Sequence, residues 1–152
     1  MGVMIVPCVS VEQPGWLQLR QALWPDGSAE EHLAEMASFL VAPQRHAQFL
    51  AYATDEQAVG FVEASVRTDY VNGTSTSPVA FLEGIYVAPE FRRKGIGTAL
   101  VATVSAWARS AGCSELASDA PLENESSHAM HHALGFQETE RVVYFRKELS
   151  SQ

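Results

Sequence analysis

Residues 79–87, Val-Ala-Phe-Leu-Glu-Gly-Ile-Tyr-Val, are apolar almost throughout and predict a buried central strand, with Glu83-Gly84 marking a bulge in it. Pro89 ends the strand. From Gly95 to about Ala111 the residues Leu100, Val101, Val104, Trp107 and Ala108 recur at helical spacing, until Gly112 stops the helix. Joining the two is Phe91-Arg92-Arg93-Lys94-Gly95-Ile96-Gly97-Thr98, which gathers three of the chain's 10 Lys+Arg. Its two glycines let the backbone turn so that successive amides converge. The helix N-terminus behind them adds unpaired amides and a partial positive charge. A strand, a basic glycine turn and a helix in that order make a pyrophosphate site. It is neither the dinucleotide G-x-G-x-x-G nor a Walker Gly-Lys-Ser/Thr. A capped surface turn accounts for a lone Gly-x-Gly, but Arg92-x-x-Gly95-x-Gly97 after a Glu-containing strand is far more specific.

Around this centre the patterning predicts a strand at 3–9 and a helix carrying Trp16, Leu19, Leu23 and Trp24, ended by Pro25-Asp26-Gly27. Ser28 with Glu31 forms a capping box that opens a second helix through Leu33, Met36, Ala37 and Leu40. Residues 48–54 and 58–67 read as antiparallel strands turning at Asp55-Glu56, followed by a polar loop from Asp69 to Pro78. Residues 115–119 read as a short strand, 124–134 as a helix stopped by Gly135, and 136–148 as a final alternating strand. The expected fold is α/β, of the α+β kind: one domain over 1–152 with a mixed, mostly antiparallel sheet and helices on both faces.

The 152 residues suit one domain with a sizeable core. With 18 Asp+Glu the net charge is −8, which disfavours nucleic acid as a partner and favours a polycationic ligand. No apolar run approaches the roughly 20 residues of a membrane helix, and the start, Met1 to Pro7, has no basic leader; the expectation is a cytoplasmic protein with no membrane partner. Cys8 and Cys113 match no metal spacing and read as reduced core thiols. His128, His131 and His132 share a helix at metal-like spacing, but no acidic or Cys cluster accompanies them, so no metal is expected.

Arg-x-x-Gly-x-Gly opening a long helix after Leu82-Glu83-Gly84-Ile85-Tyr86-Val87 resembles the acetyl-CoA motif of the GNAT superfamily of N-acetyltransferases. Asn124 and Ala133-Leu134-Gly135-Phe136 fit the same pattern. Five further segments are similar to the aminoglycoside 6′-N-acetyltransferases: Leu23-Trp24-Pro25, Asp69-Tyr70-Val71-Asn72-Gly73, Phe81 to Ile85, Ala117-Ser118-Asp119 and Leu134 to Arg141. The resemblance spans nearly the whole chain.

What the resemblance implies is an acetyl transfer from acetyl-CoA to the 6′-amine of an aminoglycoside, made directly in a ternary complex by a bacterial homodimer and giving antibiotic resistance. Ile85, Tyr86 and Val87 then offer backbone groups to the pantetheine arm, with the amide near Tyr86 polarising the thioester. Arg92, Arg93, Lys94, Gly95, Ile96, Gly97 and Thr98 cradle the pyrophosphate, and Asn124 bonds the pantetheine. Trp24, Tyr70, Glu83, Asp119 and Glu140 surround the sugar rings, because carboxylates and aromatic faces both suit ammonium groups. Glu83 is the first choice of base and Asp119 the second. His131 stands where many superfamily members carry a Tyr acid. Two other readings stay open from the residues: an acetyltransferase for peptide N-termini or polyamines, and an acyl-CoA-binding sensor without catalysis.

Overall fold

A computed structural model describes residues 2–54 and 56–150. Asp55, half of the turn expected at Asp55-Glu56, lies outside the described residues, as does Met1. The chain forms two compact units, through Asp119 and from Ala120 onward.

The first unit contains β1 (Met4–Pro7), α1 (Trp16–Leu23), α2 (Ala29–Leu40), β2 (His46–Tyr52), β3 (Ala58–Arg67), β4 (Val79–Val87), α3 (Ile96–Ser110) and β5 (Leu116–Ala117). The five strands form one sheet in chain order, antiparallel from β1 to β4, with β5 parallel to β4. Adjacent residues of β3 show which helices cover which face. Phe61 packs with Trp16, Leu19 and Met36 of α1 and α2, while a Cβ on Gly60 would meet Leu100 of α3 at 3.4 Å. Neighbouring side chains of a strand point to opposite faces, so α1 and α2 cover one face and α3 the other. Trp16, Phe61 and Leu50 have no exposed surface, and each such side chain contributes about 1.5–3 kcal/mol by leaving water.

The elements start and stop where local chemistry dictates. The Ser28 side chain accepts from the Glu31 amide while Glu31 accepts from the Ser28 amide, so the expected capping box is present. Gly112 follows α3 at φ +88°, the left-handed conformation that ends a helix without strain.

In the second unit α4 (Glu125–Ala133) is capped by Asn124 and followed by Gly135 at φ +94°. The final strand expected over 136–148 is not formed. Residues 136–150 carry no helix or strand, and Val143, Tyr144, Phe145 and Leu149 are exposed. Alternation prepares a segment for a ladder, but a strand forms only beside a partner edge, and this one has no ladder partner among the described residues.

Candidate active site

The residues expected to meet the acceptor are built on an irregularity in β4. Glu63 of β3 pairs with Gly84 but the next residue, Ala64, pairs with Leu82, so Glu83 is the extra residue of a β-bulge. The bulge turns Glu83 and Gly84 toward the α1 face together. Glu83 does not lie buried, as an apolar strand suggested; its side chain is about a third exposed. Ser65 Oγ donates to Glu83 Oε2 at 2.5 Å and Arg67 Nη2 donates to the same oxygen at 3.0 Å. Oε1 is left as the oxygen that can accept from an incoming amine. Arg67 in turn lies 3.7 Å over the Phe81 ring, which fixes its approach.

Trp24, at the C-terminal end of α1, lies against the bulge. A Cβ on Gly84 would come within 2.5 Å of its ring, so only glycine lets the indole lie so close to the strand. A cleft of about 350 Å³ is lined by Arg45, His46, Ser65, Val66, Arg67, Thr68 and Asp69, two of which, Ser65 and Arg67, donate to Glu83. Burial, then the charge of Arg45, hold His46 below the usual imidazole range, against the pull of Glu83.

Asp119 follows β5 and is exposed. β4 and β5 pair in parallel at Phe81–Ala117, and each expected carboxylate stands two residues beyond that pair. Tyr70 lies in the 68–78 loop and is 74% exposed, while its neighbour Val71 is buried with Val79, Phe81 and Ala117. The far side of that loop is held by Glu115, which accepts from the Ser75 and Thr76 amides and the Thr76 hydroxyl. Those hydrogen bonds hold the Glu115 carboxyl below its ordinary range.

The stretch expected to meet the cofactor offers mainly backbone. β5 pairs with β4 only at Ala80 and Phe81, so Ile85, Tyr86 and Val87 have no strand on that side among the described residues. Gly95, at φ +84°, is the N-cap of α3, and no side chain caps the helix. Of the two glycines in the turn only Gly95 takes a left-handed conformation; Gly97 is helical, and Arg93 supplies the second positive φ at +63°. Arg92 turns back, donating from Nε to the Val87 carbonyl at 2.7 Å with its guanidinium 5.3 Å from the Tyr86 ring, and Lys94 stands over Phe91. Arg92 therefore buttresses the turn, while the amides from Gly95 onward are left without a side-chain cap. An open strand edge leading to an uncapped helix N-terminus fits a pantetheine arm ending in phosphates.

Two expected residues fall in the second unit. Asn124 commits Oδ1 to the Ser127 amide at 3.1 Å, which leaves its nitrogen for a ligand. Glu140 is exposed in the 136–150 segment. In the same unit His131 Nδ1 lies 2.7 Å from the Ser127 carbonyl and His128 Nε2 lies 3.0 Å from that of Pro121, so a main-chain carbonyl engages each ring. Among the described residues no group of three or more His, Cys, Asp or Glu comes together to hold a metal.

A buried polar cluster behind Trp24 was not visible in the pattern. Arg20, His32 and Glu63 are all buried. Arg20 Nη1 donates to both oxygens of Glu63, Nη2 to Glu35 and Nε to His32 Nδ1, while Trp16 Nε1 donates to Glu63 at 2.9 Å. Burial pushes the Glu63 carboxyl up, while the charge and hydrogen bonds of Arg20 pull it down. Burial, then Glu63, raise the Cys8 thiol far above its ordinary value, so it stays an inert core thiol. The available signal was a charged residue in a strand apolar on both faces.

Residues 15–136 match the acetyltransferase (GNAT) family. The chain is 57% identical to an aminoglycoside N(6′)-acetyltransferase type 1 of Acinetobacter genomosp. 13, over 95% of this chain and 98% of that protein. It is 53% identical to the corresponding protein of Serratia marcescens, over 96% and 99%. Among solved structures, the aminoglycoside antibiotic 6′-N-acetyltransferase AAC(6′)-Ih from Acinetobacter baumannii superposes with a TM-score of 0.92 at 54% identity, covering 98% of this chain and 100% of that one. AAC(6′)-Iy in complex with the bisubstrate analogue CoA-S-monomethyl-acetylneamine gives 0.91 at 44%, with coverage of 98% and 100%.

Proposed function

We infer the reaction from the family to which the chain belongs, the acetyltransferase (GNAT) family: it transfers an acetyl group from acetyl-CoA to the 6′-amino group of an aminoglycoside antibiotic. The observation that carries this reading is the bulge in β4. It presents Glu83 and the Trp24 wall midway along a strand whose open edge, Ile85 to Val87, leads on toward the uncapped N-terminus of α3.

Acetyl-CoA supplies, when bound, a thioester carbonyl that the amine attacks without an acyl-enzyme. The main chain at Ile85 to Val87 holds the arm as an added strand would, with the amide near Tyr86 facing the carbonyl oxygen. The turn from Arg92 to Thr98 holds the phosphates through its amides, with Arg93 and Lys94 adding charge, and Asn124 donates to the arm. For the acceptor, Glu83 Oε1 takes the proton of the 6′-ammonium, which has no lone pair until it is lost, and Asp119 is the alternative base. Trp24 and Tyr70 offer aromatic faces, and Glu140 offers a further carboxylate to the ammonium groups.

The chain works as one domain, since the family match runs across the junction between Asp119 and Ala120. It acts in the bacterial cytoplasm, where its two buried free thiols stay reduced. No helix among the described residues is long and apolar enough to cross a membrane. It pairs as a homodimer through the exposed apolar residues Val143, Tyr144, Phe145 and Leu149, whose strand patterning calls for a partner edge.

Release of free thiol from acetyl-CoA, followed with kanamycin, tobramycin, a peptide amine and a polyamine, tests the reading. Turnover confined to the 6′-amino antibiotics supports it, and inactivity on all of them removes the substrate assignment. With Glu83→Ala, kcat/KM falls about 100-fold or more if Glu83 is the base; a loss of only a few-fold passes the role to Asp119 or to water.

A further inference from the structure

The cluster behind Trp24 takes no part in the chemistry just described, and a buried ion pair is a weaker source of stability than apolar packing of the same volume. We propose that Arg20 and His32 are positioning residues for the aminoglycoside, acting through Trp24; this rests on Trp24 forming the wall of the acceptor site. Hydrogen bonds to Glu63, Glu35 and His32 fix the plane of the Arg20 guanidinium. So fixed, its central carbon lies 4.9 Å from the Trp24 ring centre and 5.6 Å from that of Phe39. Because Arg20 Nε can only donate, His32 Nδ1 accepts at 3.1 Å and the His32 proton sits on Nε2. That proton is donated to the Trp24 carbonyl, also at 3.1 Å. The Trp24 amide donates to the Arg20 carbonyl at 2.8 Å. One pair of residues therefore holds Trp24 by its amide, its carbonyl and its ring.

Against the sheet the indole meets Gly84 with no room for a methyl group, and Phe61 edge-on at 5.9 Å. The ring is clamped between the guanidinium and the bulge, so Arg20 sets the distance from Trp24 to Glu83 and with it the gap left for a sugar ring. The charge balance fits a cationic ligand. One guanidinium faces two carboxylates, Glu63 and Glu35, so the cluster presents no net repulsion through the ring.

Steady-state kinetics of the full chain, with tobramycin and acetyl-CoA varied separately, test the assignment. Arg20→Lys keeps the charge beside Glu63 but loses the planar fork, and His32→Leu removes both ring nitrogens. In both, KM for tobramycin is expected to rise about five- to tenfold, while KM for acetyl-CoA stays at the parent value. Should Arg20→Lys fail to fold, the paired Arg20→Met, Glu63→Met change removes both charges and is expected to give the same split. An unmoved tobramycin KM in folded variants overturns the proposal, as does an equal rise in both KM values, which marks a role in folding alone. A parent protein that acetylates no aminoglycoside overturns the acceptor reading and this proposal together, whereas an active parent with unmoved variants overturns the positioning role by itself.

Discussion

Gly84 is the residue on which the acceptor geometry turns, and its replacement gives a sharp test. A methyl group there would lie 2.5 Å from the Trp24 ring and 3.2 Å from Leu23. Arg20 blocks retreat of the ring, so the bulge itself must deform. Overpacking of this kind costs about 1–3 kcal/mol. Gly84→Ala is therefore expected to lower the melting temperature and to raise KM for the aminoglycoside well above that for acetyl-CoA, read by thermal unfolding and by kinetics on the same preparation. Equal changes in the two KM values would place Trp24 outside the acceptor site. Gly95 is constrained for the opposite reason. Its surroundings are open, but φ is +84°, a conformation that costs an alanine roughly 1–2 kcal/mol. Gly95→Ala is expected to raise KM for acetyl-CoA and leave that for the aminoglycoside unmoved. If KM for acetyl-CoA does not change, the amides behind Gly95 do not hold the phosphates. At this scale the sequence was half legible. Glu83 beside a glycine announced the bulge correctly, but which of Glu63 and Glu83 is buried depends on Arg20 arriving from a helix 43 residues away, and no local pattern carries that.

Elements whose boundaries rest on neighbours in the chain were readable, and those that rest on distant partners were not. The Ser28–Glu31 capping box, the helical spacing of α3 and the glycines that stop α3 and α4 are all local, and each is found where expected. β5 shrinks to Leu116–Ala117 because only Ala80 and Phe81 of β4 pair with it, and 136–148 forms no strand because no edge among the described residues pairs with it. The 68–78 loop is a mixed case. Its turn residues are plain in the sequence, but its anchor, Glu115, comes from the segment before β5. That anchor depends on pH. The folded-state carboxyl is depressed by the hydrogen bonds from Thr76 and Ser75, so its contribution is full above the ordinary value of 4.5 and is lost as pH falls through the lower folded value. The amide protons of Ser75 and Thr76 are therefore expected to exchange faster as pH drops below that value, after correction for intrinsic exchange. In Glu115→Gln they should exchange faster already at neutral pH, with a few-fold higher KM for the aminoglycoside because Tyr70 rides on the same loop. Unchanged protection in Glu115→Gln would mean that the burial of Val71, not Glu115, holds the loop.

Across the whole molecule the net charge of −8 is unevenly spent. Arg92, Arg93 and Lys94 stand together at the turn before α3, while Glu83, Asp119 and Glu140 are the acidic groups assigned to the acceptor. Of these, Glu83 has a cation of its own in Arg67, so an arriving ammonium must compete for that carboxylate at short range. The remaining acidic excess acts at longer range, drawing a polycation in before any contact forms. Salt separates the two effects. The screening length falls from about 10 Å at 0.1 M to about 3 Å at 1 M, which abolishes steering while hydrogen-bonded pairs inside the cleft keep most of their strength. The expectation is that kcat/KM for aminoglycosides falls over this range while kcat at saturation holds, and that the fall is steeper for an antibiotic with five ammonium groups than for one with three. For acetyl-CoA the local basic turn and the acidic whole oppose one another, so its salt dependence should be shallower. If aminoglycosides of different charge respond alike, long-range attraction contributes nothing, and the acidic surplus serves the protein in some way other than capture of its substrate.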